Sequence, residues 1–315
     1  MLKGKIYIAG HRGLVGSALV RTLRAKGYDD LILKTREELD LLDAKAVDKF
    51  YKKESPDVVI LAAAKVGGIQ ANNTQRADFI YQNLRIQNNV IWGAYKADVK
   101  RLVCLGSSCI YPKNAPQPMP ESCLLSSPLE LTNRPYAVAK IAGLELVNSL
   151  RNQYGCDYFS VMPTNLYGIN DNFHPVDSHV LPAFLRRVVE AKDEKELVIW
   201  GSGTPKREFL FSDDCAEAIV FLLEQKKLKF PSQYESHINI GSGQEISILD
   251  LVLLISKIVG FKGVVLNDPS KPDGTMRKLL DSGILNTMGW AAKTPLEDGI
   301  RKTLDWYHSG VNKRM

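Results

Sequence analysis

The chain has 315 residues, 45% of them apolar, and its 41 lysines and arginines against 35 aspartates and glutamates leave a formal charge of +6 with no dense basic run. This composition supports a sizeable core, which excludes a disordered chain, and it lacks the electrostatic footprint of DNA or RNA binding. No apolar stretch reaches bilayer-spanning length and the five cysteines form no CxxC pair, so a cytoplasmic protein with neither membrane nor nucleic-acid partner is expected.

In chain order, the first residues lead into a strand at Lys5 to Ala9 without a secretory pattern, and Gly10-His-Arg-Gly13-Leu-Val-Gly16 then opens a helix at Leu14 to Lys26. Strands at Leu31 to Lys34, Val58 to Ala63, Arg101 to Gly106 and Tyr158 to Met162 alternate with helical patterns at Ala44 to Lys53, Ala77 to Ala97 and Tyr136 to Tyr154. Such alternation predicts parallel βαβ units, and nearly unbroken apolar strands predict cover on both faces. The expected fold is α/β, a doubly wound Rossmann parallel sheet. After about Pro163 the alternation gives way to loops at Asn165 to His174, Gly201 to Pro205 and Pro269 to Thr275, which predicts a smaller C-terminal substrate-binding lobe. The expected division is a dinucleotide-binding domain over 1–165 and a substrate lobe over 166–315. About 210–242 should return to the first domain, because Ser212-Asp-Asp opens an apolar helix and Ile238-Asn-Ile reads as a strand.

The glycine spacing carries the first piece of chemistry. At Gly10, Gly13 and Gly16 the missing Cβ atoms allow a tight turn and close approach of a diphosphate, and the helix that follows offers free N–H groups and a positive dipole end. The segment Gly10, His11, Arg12, Gly13, Leu14, Val15 and Gly16 is therefore the candidate cofactor cradle. An acidic residue normally ends the second strand to bind a ribose diol, but Leu33-Lys-Thr-Arg36 stands there instead. Arg12 and Arg36 can clamp a 2′-phosphate with two guanidinium forks, which predicts NADP(H) rather than NAD(H).

Tyr136-Ala-Val-Ala-Lys140 places a phenol and an ammonium one helical turn apart, on one face. The ammonium and an oxidised nicotinamide are both expected to lower the phenol's pKa and so make it a usable acid. Ser107, at the end of the fourth strand, can donate to the same carbonyl. Cys109, two residues on, is expected on the same side of an extended segment.

GxxGxxG, an upstream serine and Tyr-xxx-Lys together resemble the extended short-chain dehydrogenase/reductase family. The strings Ala62 to Gly68, Gly106 to Lys113, Met162 to Gly168, Asn172 to Pro175, Trp200 to Pro205 and Lys271 to Gly274 are similar to the GDP-L-fucose synthases, and the likeness runs through nearly the whole chain. The resemblance implies an NADPH-dependent, multifunctional oxidoreductase and isomerase of nucleotide-sugar metabolism. Its substrate would be GDP-4-keto-6-deoxy-D-mannose, taken to GDP-L-fucose by 3,5-epimerisation and 4-keto reduction. The catalytic set it implies is Ser107, Cys109, Tyr136, Lys140 and His179, with Cys109 and His179 moving protons on opposite faces of the sugar.

The resemblance further implies cofactor contacts at Leu105, Gly106, Ser108, Lys140, Pro163, Thr164, Asn165, Leu166 and His179. It implies GDP-sugar contacts at Arg187, Trp200, Arg207 and Asp273, with Lys278 a further candidate, and no metal. A homodimer pairing through Ala77 to Ala97 and Tyr136 to Tyr154 belongs to the same expectation. One departure is Phe211-Ser-Asp-Asp214, where many relatives have histidine before the aspartates. Two other readings share the fold or its cofactor loop. A sugar-nucleotide 4-epimerase or 4,6-dehydratase would hold NAD tightly and usually carry an acid near Arg36, and a non-catalytic dinucleotide sensor would not need Ser107, Tyr136 and Lys140 intact.

Overall fold

The structure, a computed structural model, describes residues 2–232, 236–271 and 273–310. Its elements in chain order are β1 (Ile6–Ala9), α1 (Leu14–Ala25), β2 (Leu31–Ile32), α2 (Ala44–Glu54), β3 (Val58–Leu61), α3 (Ile69–Thr74), α4 (Arg76–Lys96), β4 (Arg101–Leu105), α5 (Arg134–Tyr154), β5 (Asp157–Pro163) and β6 (Asn165–Tyr167). They continue with α6 (Val180–Glu190), β7 (Glu196–Trp200), β8 (Lys206–Phe211), α7 (Ser212–Glu224), β9 (His237–Ile240), β10 (Glu245–Ser247), α8 (Ile248–Val259), β11 (Val264–Asp268), β12 (Arg277–Lys278), α9 (Gly283–Thr287) and α10 (Leu296–Ser309).

Six strands form one sheet in the order β2-β1-β3-β4-β5-β9, every neighbouring pair parallel. Side chains alternate along β1, so Ile6 and Ile8 enter one layer with α1 and α7 while Tyr7 and Ala9 enter the other with α2, α4 and α5. Each such buried aliphatic or aromatic side chain contributes about 1.5–3 kcal/mol over its exposed state, which explains why the apolar runs dictate a doubly covered sheet. The strand order reverses beside β1, where β2 lies on one side and β3 on the other. That switch point opens a crevice at the carboxyl ends of the strands.

β2 is shorter than the predicted Leu31 to Lys34. At Thr35 the chain turns out of the sheet: its N–H donates to Glu38 Oε2 (2.7 Å), and the N–H of Leu39 donates to the Thr35 carbonyl (2.9 Å). A side chain that satisfies the backbone locally competes with the ladder.

The C-terminal half builds smaller sheets. β8 pairs with β6, β10 and β12, and β7 pairs with β11, over a separate core that includes Tyr167, Phe184, Leu185, Ile199, Phe209 and Ile255. Phe211 is buried in this core with its ring 5.7 Å from that of Tyr167, a site where a histidine would have to lose its hydration. β9 then returns to the large sheet beside β5, and α7 packs on α1, where Arg21 reaches both carboxylate oxygens of Asp213 (3.0 and 2.9 Å). Among the described residues, no helix is long and apolar enough to cross a membrane.

Candidate active site

Gly10 sits at φ +88°, and a Cβ built there would stand 2.8 Å from the backbone of Ala63 at the end of β3; one built at Gly16 would stand 2.1 Å from the Gly10 carbonyl oxygen. A side chain at Gly10 would collide with the chain leaving β3, and one at Gly16 would push α1 off the turn at Gly10 and His11, so both positions require glycine. Gly13 is the N-cap of α1 with no side-chain capping bond and no acid in the first turn, which leaves the helix N–H groups directed outward for an anion. Arg12 and Arg36 are both exposed, and their charges together help to hold the Glu37 carboxyl low, after the hydrogen bonds at its own backbone and at Thr35. The charges of the two predicted clamp residues therefore both reach Glu37. His11, between the glycines, has its pKa lowered by burial and by Arg12.

The catalytic candidates gather at the carboxyl end of β4. Ser107 caps a short 3-10 turn, Ser108–Ile110, and its Oγ accepts from the Cys109 N–H at 3.2 Å. The extended segment expected from Ser107 to Cys109 is thus corrected to a turn, closed by the serine's own hydroxyl. Proximity survives the correction, because the Ser107 hydroxyl bonds the Tyr136 phenol and the Cys109 sulfur lies in that phenol's field. Pro135 occupies the first turn of α5, where its missing N–H costs nothing, so Tyr136 and Lys140 enter the site from a helix start.

Lys140 Nζ lies 5.8 Å from the centre of the Tyr136 ring but donates to the Leu105 carbonyl at 2.7 Å. Burial pushes the phenol above its ordinary value and the lysine below its own, opposite to the depression expected for the phenol. Desolvation exceeds the Ser107 hydrogen bond, and the ammonium points at a backbone oxygen instead.

His179 is the N-cap of α6 and uses its backbone, not its ring, for that purpose. The residue is exposed, yet packing around its titrating ring, followed by the charge of Lys278, lowers its pKa. The loop after β3 supports it: Gly68 N–H donates to the Asp177 carbonyl at 3.0 Å, and a Cβ at Gly68 would stand 2.8 Å from the Ser178 oxygen. Asn83 holds the same loop by bonding both the N–H and the carbonyl of Lys65, each at 2.9 Å.

The segment Pro163 to Leu166 runs from β5 into β6, with the Asn165 side chain donating to the Glu208 carbonyl at 2.8 Å. Trp200 is 71% exposed at the end of β7, so it forms an open flat surface rather than a core anchor. Asp273 accepts from the Ser202 N–H (2.9 Å) and hydroxyl (2.8 Å), which folds the 273–274 loop across Gly201 and toward Arg207. Arg187 donates to the Val198 carbonyl, two residues before Trp200. The four predicted GDP-sugar contacts therefore line connected surfaces around β7 and β8.

The family model for NAD dependent epimerase/dehydratase matches residues 6–241, a span that takes in the glycine loop, the Ser107 turn, the Tyr136 helix and the return strand β9. The chain belongs to this epimerase/dehydratase family. It is 54% identical over 312 residues to the GDP-L-fucose synthase of Escherichia coli K12, covering 98% of this chain and 97% of that protein. It is 56% identical over 312 residues to GDP-L-fucose synthase 1 of Arabidopsis thaliana, covering 98% and 95%. Among solved structures it is similar to a GDP-mannoheptose C4 reductase from Campylobacter jejuni with NADP bound, with a TM-score of 0.90, 40% identity and coverage of 98% and 99%.

The epimerase/dehydratase fold also positions residues that sequence reasoning passed over. Glu208 is fully buried in β8, where Oε1 accepts from Gly243 N–H (2.8 Å) and Oε2 from Leu280 N–H (3.0 Å). Its signal in the sequence is an acid at the head of the apolar run Phe209-Leu-Phe211. Asn170, at φ +70°, donates to the Arg12 carbonyl at 2.7 Å and ties the loop after β6 to the glycine loop. Nothing local in the sequence announces that bridge.

Proposed function

We propose that this protein converts GDP-4-keto-6-deoxy-D-mannose to GDP-L-fucose by 3,5-epimerisation followed by reduction of the C4 ketone. The observation that carries the reading is the grouping of a ketone-binding pair, Ser107 and Tyr136, with two proton carriers, Cys109 and His179, that share Lys278 between them. The names of the similar proteins support the same substrate class.

Bound NADPH supplies the hydride. Its diphosphate would lie on the free N–H groups of α1, its 2′-phosphate at Arg12 and Arg36, and its nicotinamide end against Leu105 to Ser108, Pro163 to Leu166, Lys140 and His179. Hydrogen bonds from Ser107 and Tyr136 polarise the C4 carbonyl and so acidify the hydrogens at C3 and C5. A base on one face removes each proton, the C–H electron pair moves to the C4 oxygen as an enolate, and an acid on the other face returns a proton to carbon. After both centres invert, Tyr136 donates its phenolic proton to the oxygen that gains charge on reduction. Arg187, Trp200, Arg207 and Asp273 would hold the GDP moiety, the arginines against its charge and the tryptophan against its flat base.

The chain divides on this reading into a dinucleotide-binding domain over 1–165, joined again by about 210–242, and a substrate lobe over the rest. We also infer a cytoplasmic homodimer. Tyr81 and Trp92 on α4 and Val138 on α5 are large apolar side chains left exposed on adjacent helices, as a two-fold pairing of these faces requires. Light scattering should return twice the chain mass, and the mass of a single chain would remove the dimer.

The function is tested by turning over GDP-4-keto-6-deoxy-D-mannose with NADPH in heavy water and weighing the product. Reduced sugar with deuterium at both C3 and C5 is expected. Reduction without carbon-bound deuterium would leave a simple ketoreductase, and absence of turnover would refute the substrate.

A further inference from the structure

We propose that Lys278 is a positioning residue for proton transfer, its ammonium fixing the Cys109 sulfur and balancing the charge that sulfur carries. The inference deepens the reading above and rests on it for the identity of the reaction. Three observations carry it.

The first is contact. Lys278 Nζ donates toward Cys109 Sγ at 3.6 Å, within hydrogen-bond reach of a sulfur, and the charge of the same ammonium acts on His179. Among the described residues Lys278 makes no salt bridge with a carboxylate, whereas its neighbour Arg277 is paired with Glu245 at 2.7 Å. The charge of Lys278 is thus left to the site.

The second is preorganisation. β12 is only two residues long, yet its chain is held from three directions: Lys278 pairs with Arg207 on β8, Leu279 N–H donates to Gln117 Oε1 at 2.8 Å, and Leu280 N–H donates to Glu208 Oε2 at 3.0 Å. A further bond from Met119 N–H to the Leu279 carbonyl (2.8 Å) closes the clamp. A surface lysine needs no such anchoring, but one that must keep an ammonium against a reacting sulfur does.

The third is access. A cavity of ≈ 50 Å³ lies beside the pair, lined among others by Cys109, Lys278, Lys113, Glu130 and Arg277. It is polar and roomy enough for water, so the sulfur can exchange its proton with solvent between turnovers.

The step balances in both directions. When the sulfur acts as base, its electron pair takes hydrogen from carbon as a proton, an S–H bond forms, and the C–H pair passes to the C4 oxygen. When it acts as acid, S–H breaks, the proton goes to carbon and a thiolate remains. In either case the anionic sulfur is the form that the ammonium stabilises.

The test begins without sugar. Alkylation of Cys109 by iodoacetamide, followed by peptide mass spectrometry across neutral pH, reads the thiolate directly. Besides Lys278, the titratable and charged groups around this sulfur are Tyr136 with its neighbours Lys140 and Cys104, His179 within the field of Lys278, and the cavity residues Lys113, Glu130 and Arg277, all unchanged in the variants. The thiolate is the reacting form of a cysteine and a neighbouring cation favours it, so Lys278→Met should slow labelling at neutral pH about tenfold. Lys278→Arg, which keeps the charge, should restore most of it. With GDP-4-keto-6-deoxy-D-mannose in heavy water, Lys278→Met should lower the kcat for deuterium entry at C3 and C5 with little change in KM.

Unchanged labelling in Lys278→Met, or a rise in KM alone, would overturn the proposal and leave Lys278 as a substrate contact. Because labelling uses no sugar, it still decides the sulfur–ammonium pair if the proposed substrate fails. Should the methionine variant not fold by circular dichroism, Lys278→Gln supplies the same comparison.

Discussion

Tyr136→Phe should lower the rate of ketone reduction by about 10²–10⁴-fold, the usual contribution of a positioned general acid. The substitution removes one oxygen and keeps the ring, whose edge contact with Phe79 (centroids 6.2 Å apart) is preserved, so folding should be unaffected. Burial holds this phenol above its ordinary titration range, and the proton is therefore present throughout neutral pH. A phenol made weaker in this way can still serve, because the alkoxide formed on reduction is a much stronger base than phenolate. The direction of the shift fixes the pH profile: loss of the acid should set in only on the alkaline side. Deuterium entry at C3 and C5 should fall much less than reduction, since Ser107 still polarises the ketone. Stopped-flow loss of NADPH absorbance within a few-fold of the parent would show that another group delivers the proton.

Glu208→Ala should cost about 3–5 kcal/mol of stability, measured by urea unfolding, since it strands two backbone N–H groups at about 1–3 kcal/mol each and opens a cavity. Those donors belong to Gly243 and Leu280, so the loss also loosens the chain that carries Lys278. The carboxyl has a second consequence. Burial raises its pKa in the folded protein against the opposing pull of the backbone bonds from Leu280 and Gly243. As pH climbs past the ordinary glutamate range, the unfolded chain releases its proton first, so folded stability contributed by this group is greatest below that range and declines as pH rises through the folded value. The gap between parent and variant should narrow in the same direction. A loss under about 1 kcal/mol would mean that water replaces the carboxylate freely.

The parts of the site that could be read from the chain are those set by local spacing. Three glycines after a strand must make a close turn, and a tyrosine and lysine four apart on a helix must share a face. Both follow from backbone geometry within one turn. The position of Cys109 did not follow, because Ser107 bonds its own chain and converts an extended segment to a 3-10 turn. Glu208 escaped for another reason: its partners are 35 and 72 residues away in sequence, and only the meeting of β8 with two distant loops gives them to it. The small sheets around β8 resisted reading likewise, since strands of two or three residues carry too little periodicity to show a period of two. Lys278 is legible in the sequence only as a further candidate for a GDP-sugar contact, and the fold is what brings it to Cys109.

β9 lies beside β5 in the large sheet, though some seventy residues of chain separate them. A ribosome delivers those residues over seconds, during which the 157–163 strand has one edge without a partner and its apolar layer incompletely covered. An open strand edge of that kind is a template for pairing with another nascent chain. The same link gives the finished molecule its cooperativity: the first half cannot reach its lowest energy by itself, so neither lobe should melt in a separate transition. Heat or denaturant should take the chain apart as one unit, and any truncation that spares the glycine loop but removes β9 should surrender solubility before it surrenders a single residue of the cofactor cradle.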